Sequence, residues 1–388
     1  MKQYDVIIIG AGAAGLSAAA VARERGKRVA ILEMGETPAR KVMVSGGGRC
    51  NITNTDANHT RYFGENPNFV RGALSRVSAH DIIEWANSKK LSLVEKTPGR
   101  YFCENGASAV VEALMKDVRG IDIFYNTNVK SVQKTTGIFI INTNQNAFCA
   151  KSVIVATGGI SFDGLGVSDI GYKIAKSFGH KIIPVRPALC ALSIPNMPSE
   201  LAGISIDAEI KIGKYKLCDS LLFTHFGIGG PLAYRASVRD IHNGIVINLM
   251  PNIDVQKVLR DAKRTSGKKN VANILTQYLP NRLAKWIMAG DIRNIADIKD
   301  ADIAKIATRI TNIIIPGNKI KLHNMASAEI VRGGVDTREI SSKTMESVLC
   351  NGLFFAGEVM DVAGDLGGFN LQWAWASGRV AGQNAGNI

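Results

Sequence analysis

Tyr4 to Ile9 is a short apolar, β-branched run that leads without a break into Gly10-Ala11-Gly12-Ala13-Ala14-Gly15, and these glycines open an alanine-rich stretch that ends at Gly26. No other feature of the sequence narrows the fold as much. A buried strand, a G-x-G-x-x-G turn and a helix form the first half of a βαβ unit built around a dinucleotide. Gly10 permits the tight turn, Gly12 lets backbone N–H groups approach a pyrophosphate, and Gly15 lets the helix pack on the sheet. Ala13 and Ala14 complete the motif at the helix N-terminus, which supplies a positive partial charge. Arg28 to Leu32 reads as the second strand and closes with Glu33, 18 residues after Gly15, whose carboxylate can accept hydrogen bonds from ribose hydroxyls.

FAD and NAD share this fingerprint. The segment that follows runs Arg40-Lys41, then Ser45-Gly46-Gly47-Gly48-Arg49-Cys50-Asn51, where a plain dehydrogenase would continue into regular βα units. Glycines without side chains suit a backbone lying against a flavin ring, and the basic pair can face a diphosphate. Further on, Asp122 to Val129 reads as a strand near an adenine, with the Val129 backbone as a contact. Ser152 to Ala156 reads as another buried strand, running into Thr157-Gly158-Gly159. A strand ending in glycine brings backbone close to a ligand at the carboxyl edge of the sheet. Gly352 to Ala356 reads as the last core strand, followed by Gly357 and Glu358. Gly367-Gly368-Phe369-Asn370 then opens a final helix, with Asn370 as its expected cap.

Residues 45 to 54, SGGGRCNITN, resemble the signature loop of the BaiN/YhiN-like FAD-dependent, NAD(P)-linked oxidoreductases. The resemblance extends through Gly99-Arg100-Tyr101-Phe102, with Cys103 where the family pattern has proline, and through Ala156-Thr157-Gly158-Gly159. It continues in Phe223-Thr224-His225 to Pro231, in Arg332 to Thr337, and in Gly352 to Trp375. It implies an α/β fold: a discontinuous Rossmann-like FAD-binding domain, residues 1–186 and 325–388, interrupted by a β-rich subdomain, 187–253, and a helical subdomain, 254–324. It also implies that the last segment closes over the flavin, which brings Gly357, Glu358, Asp361, Gly368, Asn370 and Leu371 into the cofactor site beside Ser45, Gly46, Gly47, Cys50 and Asn51. NADH or NADPH is the implied transient electron donor, because no second nucleotide fingerprint follows. One branch of the family is associated with bile-acid dehydroxylation.

The expected reaction is reduction of a C=C or C=O bond in a small organic substrate, with Arg100 and His225 as the candidate polarising group and proton donor. Two alternatives stand beside it. The net charge is +14, and Val255 to Ile320 alone holds 13 Lys and Arg against 5 Asp, so an RNA-modifying flavoprotein with a basic inserted region is one. Against it, those basic stretches lack interleaved aromatics for base stacking. A flavin-binding module without a substrate is the other. The 6 cysteines form no C-x-x-C pair and no metal-ligand spacing, so no metal is expected and the reading is a reduced, cytoplasmic protein. The uncharged run Val6 to Ala22 holds the glycine motif and is short for a membrane span, so no membrane association is expected. Trp373 and Trp375 read as core residues of the last helix.

Overall fold

The computed structural model describes residues 2–387, which form two compact units. One comprises the residues up to Pro187 together with those from Met325 onward; the other is Ala188–Asn324.

The first unit is organised by a parallel sheet. Strand β1 (Gln3–Ile9) lies between β2 (Val29–Leu32) and the strand Ala147–Val155, with Asp122–Phe124 beyond β2 and Leu353–Phe355 beyond Ala147–Val155. Ile9 is level with Leu32 and Val155, Leu32 with Phe124, and Val155 with Phe355, so these parallel strands end in one row. Val6 to Ile9 are buried without exception, as an unbroken apolar run covered on both faces must be. The first half of Ala147–Val155 instead pairs antiparallel with Ile138–Thr143, part of a hairpin with Val129–Thr135.

Helix α1 (Ala13–Glu24) leaves the glycine turn and packs against the last helix, Phe369–Asn384. The contact is backbone to backbone. A Cβ at Gly378 would lie 2.3 Å from Ala14 O, and one at Gly382 would lie 2.3 Å from Ala18 O. Small residues four apart on one helix, facing alanines four apart on the other, allow that approach. Trp373 and Trp375 are buried in the same core, their indole N–H groups donating to Gly357 O and Ile52 O.

Two local expectations are corrected. Asp122 to Val129 is not one strand: pairing with β2 stops at Phe124, and the chain turns through Asn126 (φ 52°) before Val129 starts the hairpin strand. Asn370 does not cap the last helix. Gly368 holds that position, and the Asn370 amide instead clasps Gly364, accepting from its N–H at 2.7 Å and donating to its carbonyl at 3.1 Å.

The second unit is a seven-stranded sheet with helices. Its order is Ile313–Ile315, Ile245–Asn248, Ser205–Ile212, Tyr215–Thr224, Gly227–Gly229, Leu192–Ser193 and Lys321–Leu322, all antiparallel. Strand residues Leu221 and Ile247 and helix residues Leu259, Leu283 and Ile306 belong to one hydrophobic core. Among the described residues no helix is long and apolar enough to cross a membrane.

Candidate functional site

The first residue beyond four of the parallel strands extends the ladder by one bond. Gly10 N donates to Leu32 O (2.8 Å), Glu33 N to Phe124 O (2.9 Å), Ala156 N to Ile9 O (2.9 Å) and Ala356 N to Val155 O (3.0 Å). The segments Gly10–Gly15, Glu33, Ala156–Gly158 and Gly357–Glu358 therefore leave the sheet side by side at its carboxyl edge, where open α/β sheets bind ligands.

The three motif glycines face different surroundings. Gly10 has φ +107°, and a Cβ there would lie 2.5 Å from Ala156 O; a Cβ at Gly15 would lie 1.9 Å from Gly10 O. Both are demanded by the protein itself. Gly12 is different: its backbone is ordinary (φ −79°, ψ −174°), and a Cβ would meet no protein atom within 4 Å. It is also the N-cap of α1, and no side chain caps the helix there. Open space beside uncapped N–H groups is what a diphosphate requires.

Glu33 is buried at the end of β2. Its Oε2 accepts from Ala11 N (2.8 Å), and its Oε1 accepts from Gly35 N (2.8 Å) and Arg40 Nη2 (3.1 Å). Arg40 also donates to Leu165 O. Thr127 N donates to Glu33 O (2.9 Å), which ties the turn before Val129 to this corner. Val129 itself is half-buried opposite Thr143.

Helix α2 (Arg40–Gly48) breaks at Ser45, Gly46 and Gly47, where the backbone is no longer helical. Gly46 is required sterically, since its Cβ would lie 2.8 Å from Asn51 N and 3.1 Å from the Phe102 ring. Gly47 and Gly48 face open space, and Met43 and Val44 beside them are exposed. Cys50 is buried, its thiol pushed up to about 12 by burial, so it packs and does not react.

Strand β3 (Asn51–Asn54) pairs with Arg100–Cys103 and meets the glycines before the last helix. Asn54 Nδ2 donates to Gly367 O (2.8 Å), and a Cβ at Gly368 would lie 2.5 Å from Thr53 O. Asn51, with its amide turned to satisfy both neighbours, accepts from Gly368 N at 3.1 Å and donates to Tyr101 O at 3.2 Å. Arg100 lies against the same loop: a Cβ at Gly367 would come within 2.5 Å of its Nε. No side chain caps the last helix either.

Glu358 ties several of these segments together. Its Oε2 accepts from Lys41 Nζ (3.0 Å) and its Oε1 from Val331 N (2.9 Å), while Ser161 Oγ lies 3.4 Å from Oε1 and 3.0 Å from Lys41 Nζ. A Cβ at Gly159 would lie 2.6 Å from Glu358 Oε1, so the turn after Ala156, Thr157 and Gly158 rests on this carboxylate. The Tyr172 hydroxyl is buried without a hydrogen-bond partner, and burial together with the Glu358 charge keeps it protonated. Asp361 holds two loops, accepting from Gly333 N (3.0 Å) and Glu65 N (2.7 Å); burial raises its carboxyl above the usual range against the pull of those N–H groups. Gly357 N donates to Ser377 Oγ (2.9 Å), a Cβ at Gly357 would come within 2.9 Å of Ala14 Cβ, and Leu371 is half-buried against the core.

The structure thus brings Gly10–Gly15, Glu33, Ala156–Gly158 and Gly357–Glu358 out at one sheet edge, bonds Arg40 and Lys41 to that row, and sets Asn51 and Arg100 against the Gly367-Gly368 loop. His225 belongs to the second unit, where it is exposed in the turn between Tyr215–Thr224 and Gly227–Gly229. Sequence reasoning missed Ser161, Ser377 and Gln372, the last buried with Thr53 Oγ1 at 2.6 Å and Val77 O at 2.8 Å. Ser161 stands two residues past Gly159, the one signal that could have found it. Among the described residues no group of three His, Cys, Asp or Glu could hold a metal ion. FAD fits what is present: the open Gly12 turn and uncapped α1 suit a diphosphate, Glu33 a ribose, and the open backbone at Gly47 and Gly48 a planar ring.

A family model described as HI0933-like protein Rossmann domain matches residues 4–384. A protein of Haemophilus influenzae named Ribosomal RNA dihydrouridine synthase is 38% identical over 97% of this chain and 97% of its own length. One of the same name from Escherichia coli is 35% identical over 99% of this chain and 98% of its own. A 3-dehydro-bile acid delta(4,6)-reductase of Clostridium scindens is 32% identical, covering 97% of this chain and 98% of that protein.

Proposed function

The chain belongs to the HI0933-like family of FAD-binding, Rossmann-domain oxidoreductases, and from that membership we propose that it reduces the C5=C6 bond of a uridine in ribosomal RNA. The observation that carries this reading is end-to-end similarity to two proteins named for that reaction. Ribosomal RNA thereby takes precedence over a small organic molecule as the proposed substrate. The basic balance of the second unit supports it.

FAD supplies, when bound, the two electrons of the reduction as a hydride. The N–H groups at the start of α1 and the open Gly12 backbone hold its diphosphate, and Glu33 its ribose. Lys41, paired with Glu358, places a cation between the first glycine-rich segments and the last. A uracil carries a carbonyl conjugated with its double bond, and Arg100 is proposed to polarise that carbonyl from its place against Gly367. The remaining hydrogen arrives as a proton. NADH or NADPH is the proposed reductant.

A second reading, reduction of a carbonyl-conjugated C=C bond in a small molecule, is favoured by the bile-acid reductase relative. The two readings share a chemistry and differ in substrate. Ribosomal RNA lacking the modification is incubated with protein, FAD and NADPH or NADH, and its nucleosides are analysed by mass spectrometry for a gain of two hydrogens on uridine. Dihydrouridine at a defined position supports the first reading. Unmodified RNA, with flavin that NAD(P)H reduces and an enone reoxidises, sinks it in favour of the second. Flavin reduced by neither nucleotide removes the NAD(P)H assignment.

A further inference from the structure

Phe226 is a large apolar side chain left 39% exposed at the tip of a turn, and its ring is not loose. The two-residue turn His225-Phe226 joins Thr224 to Gly227, which face each other across the hairpin. Phe226 O accepts from Ile194 N (2.8 Å) on one side of the short strand Leu192–Ser193. On the other side His323 N donates to Ala191 O (2.9 Å). The two rings meet with centroids 4.0 Å apart and planes within 5° of parallel. His323 is pinned in turn, its Nδ1 3.1 Å from Ser193 Oγ and its Nε2 3.3 Å from Asn324 Nδ2.

This geometry stands apart. Among the described residues six other ring pairs are tilted by 58° to 88°, one of the arrangements that ring quadrupoles favour. A parallel stack with a ring 39% exposed presents aromatic surface on which one more flat ring can pack. Beside it, Lys321 is exposed and pairs with Ser193 in the same ladder. Paired residues of antiparallel strands project to one side, which puts this cation on the side of Ser193. A flat aromatic face with a neighbouring cation is the minimal recognition unit for an unpaired base and its phosphate.

We infer that the Phe226–His323 stack is a landing platform for an unpaired nucleobase of the RNA substrate, with Lys321 contacting the adjoining phosphate. The inference rests on the RNA reading above and adds the recognition element. It also gives the basic second unit a stacked aromatic pair at its surface. A solvent-exposed phenylalanine is otherwise a weak choice at a hairpin tip, where a polar residue would serve the turn as well.

The test compares the full-length flavoprotein with Phe226→Ala and Phe226→Trp, using fluorescein-labelled oligouridylate for affinity and unmodified ribosomal RNA for dihydrouridine formation. Because the ring is at the surface, parental flavin content and melting temperature are expected in both variants and serve as the folding control. Phe226→Ala weakens oligouridylate binding by about five- to a hundred-fold and raises KM for ribosomal RNA with little change in kcat, while Phe226→Trp stays near the parent. In an oligouridylate carrying one 2-aminopurine, the parent quenches the fluorescent base by stacking and Phe226→Ala does not. Parental affinity and KM in Phe226→Ala, with dihydrouridine still formed, overturn the platform and leave the proposed reaction standing. Absence of dihydrouridine with all three proteins sinks the reaction and the platform together.

Discussion

Lys41 and Glu358 are 317 residues apart in the chain, yet Nζ and Oε2 meet at 3.0 Å. Each side chain follows a glycine-rich or kinked segment that leaves the sheet edge, and Ser161, just past the third such segment, bonds both. The pair therefore reports whether the early, middle and late parts of the first unit are in register with one another.

Removing the cation should be felt by the flavin before it is felt by the fold, because the pair is part-exposed and surface ion pairs contribute little to stability. Lys41→Ala is expected to lower FAD affinity by about ten-fold, with Lys41→Arg recovering part of it. Flavin fluorescence quenching on titration into apoprotein measures this. Equal affinity in the alanine variant would remove Lys41 from the cofactor site.

Gly12 and Gly10 are predicted to differ in stability, though not in flavin loss, under the same substitution. Gly12→Ala has an unstrained backbone and empty space around the new methyl, so stability of the apoprotein should stay within about 0.5 kcal/mol of the parent. FAD retention should nonetheless fall sharply, since the methyl occupies the approach to the diphosphate. Gly10→Ala combines a positive φ with a Cβ 2.5 Å from Ala156 O and should lose stability as well as flavin. Thermal denaturation beside the flavin absorbance separates the two; a Gly12→Ala protein that keeps its FAD refutes the assignment.

The contact between α1 and the last helix allows no side chain at Gly378. Gly378→Val must part the helices or shift Ala14, and core overpacking of this kind costs about 1–3 kcal/mol. Ala14 belongs to the motif beside the diphosphate, so the variant should release FAD at a lower temperature than the parent. A melting curve followed by released flavin fluorescence checks this, and an unchanged midpoint would count against it.

His180 gives the stability a pH dependence. It is buried against the edge of the Phe355 ring, with Nε2 2.7 Å from Ser347 Oγ, and burial depresses its pKa despite Glu339 at 3.3 Å. The unfolded chain takes up a proton near the ordinary imidazole value of 6.5, the folded protein only at lower pH. Its contribution is thus complete above that range and is lost as pH falls from there through the folded value. Urea midpoints measured downward from neutrality should decline, and His180→Gln should flatten the decline. Parallel slopes would assign the effect to other groups.

The glycine fingerprint, Glu33 and the late motifs could be read because they are local: each is a strand, a turn and a helix start contained in a few residues. The relations that assemble the site were not legible. Nothing near Ser161 announces Lys41, and nothing near Gln372 announces Thr53, since those bonds depend on which segments the sheet order makes neighbours. Asn370 was read as a cap because asparagine so often is one; a glycine pair with positive φ took the turn, and its amide closed a loop instead. The strand ending at Phe124 reads too long in sequence because residues 125 to 128 hold no glycine or proline to mark its end, while the pairing partner has already ended at Leu32.

Because Gly378 and Gly382 lie against the backbone of Ala14 and Ala18, the nucleotide motif is braced by a helix that the chain reaches only after Ala188–Asn324. During synthesis the opening strand and helix must therefore wait, with that apolar face unsatisfied, while the whole of Ala188–Asn324 emerges. A chain interrupted before Phe369 would lack this brace behind its diphosphate-binding turn.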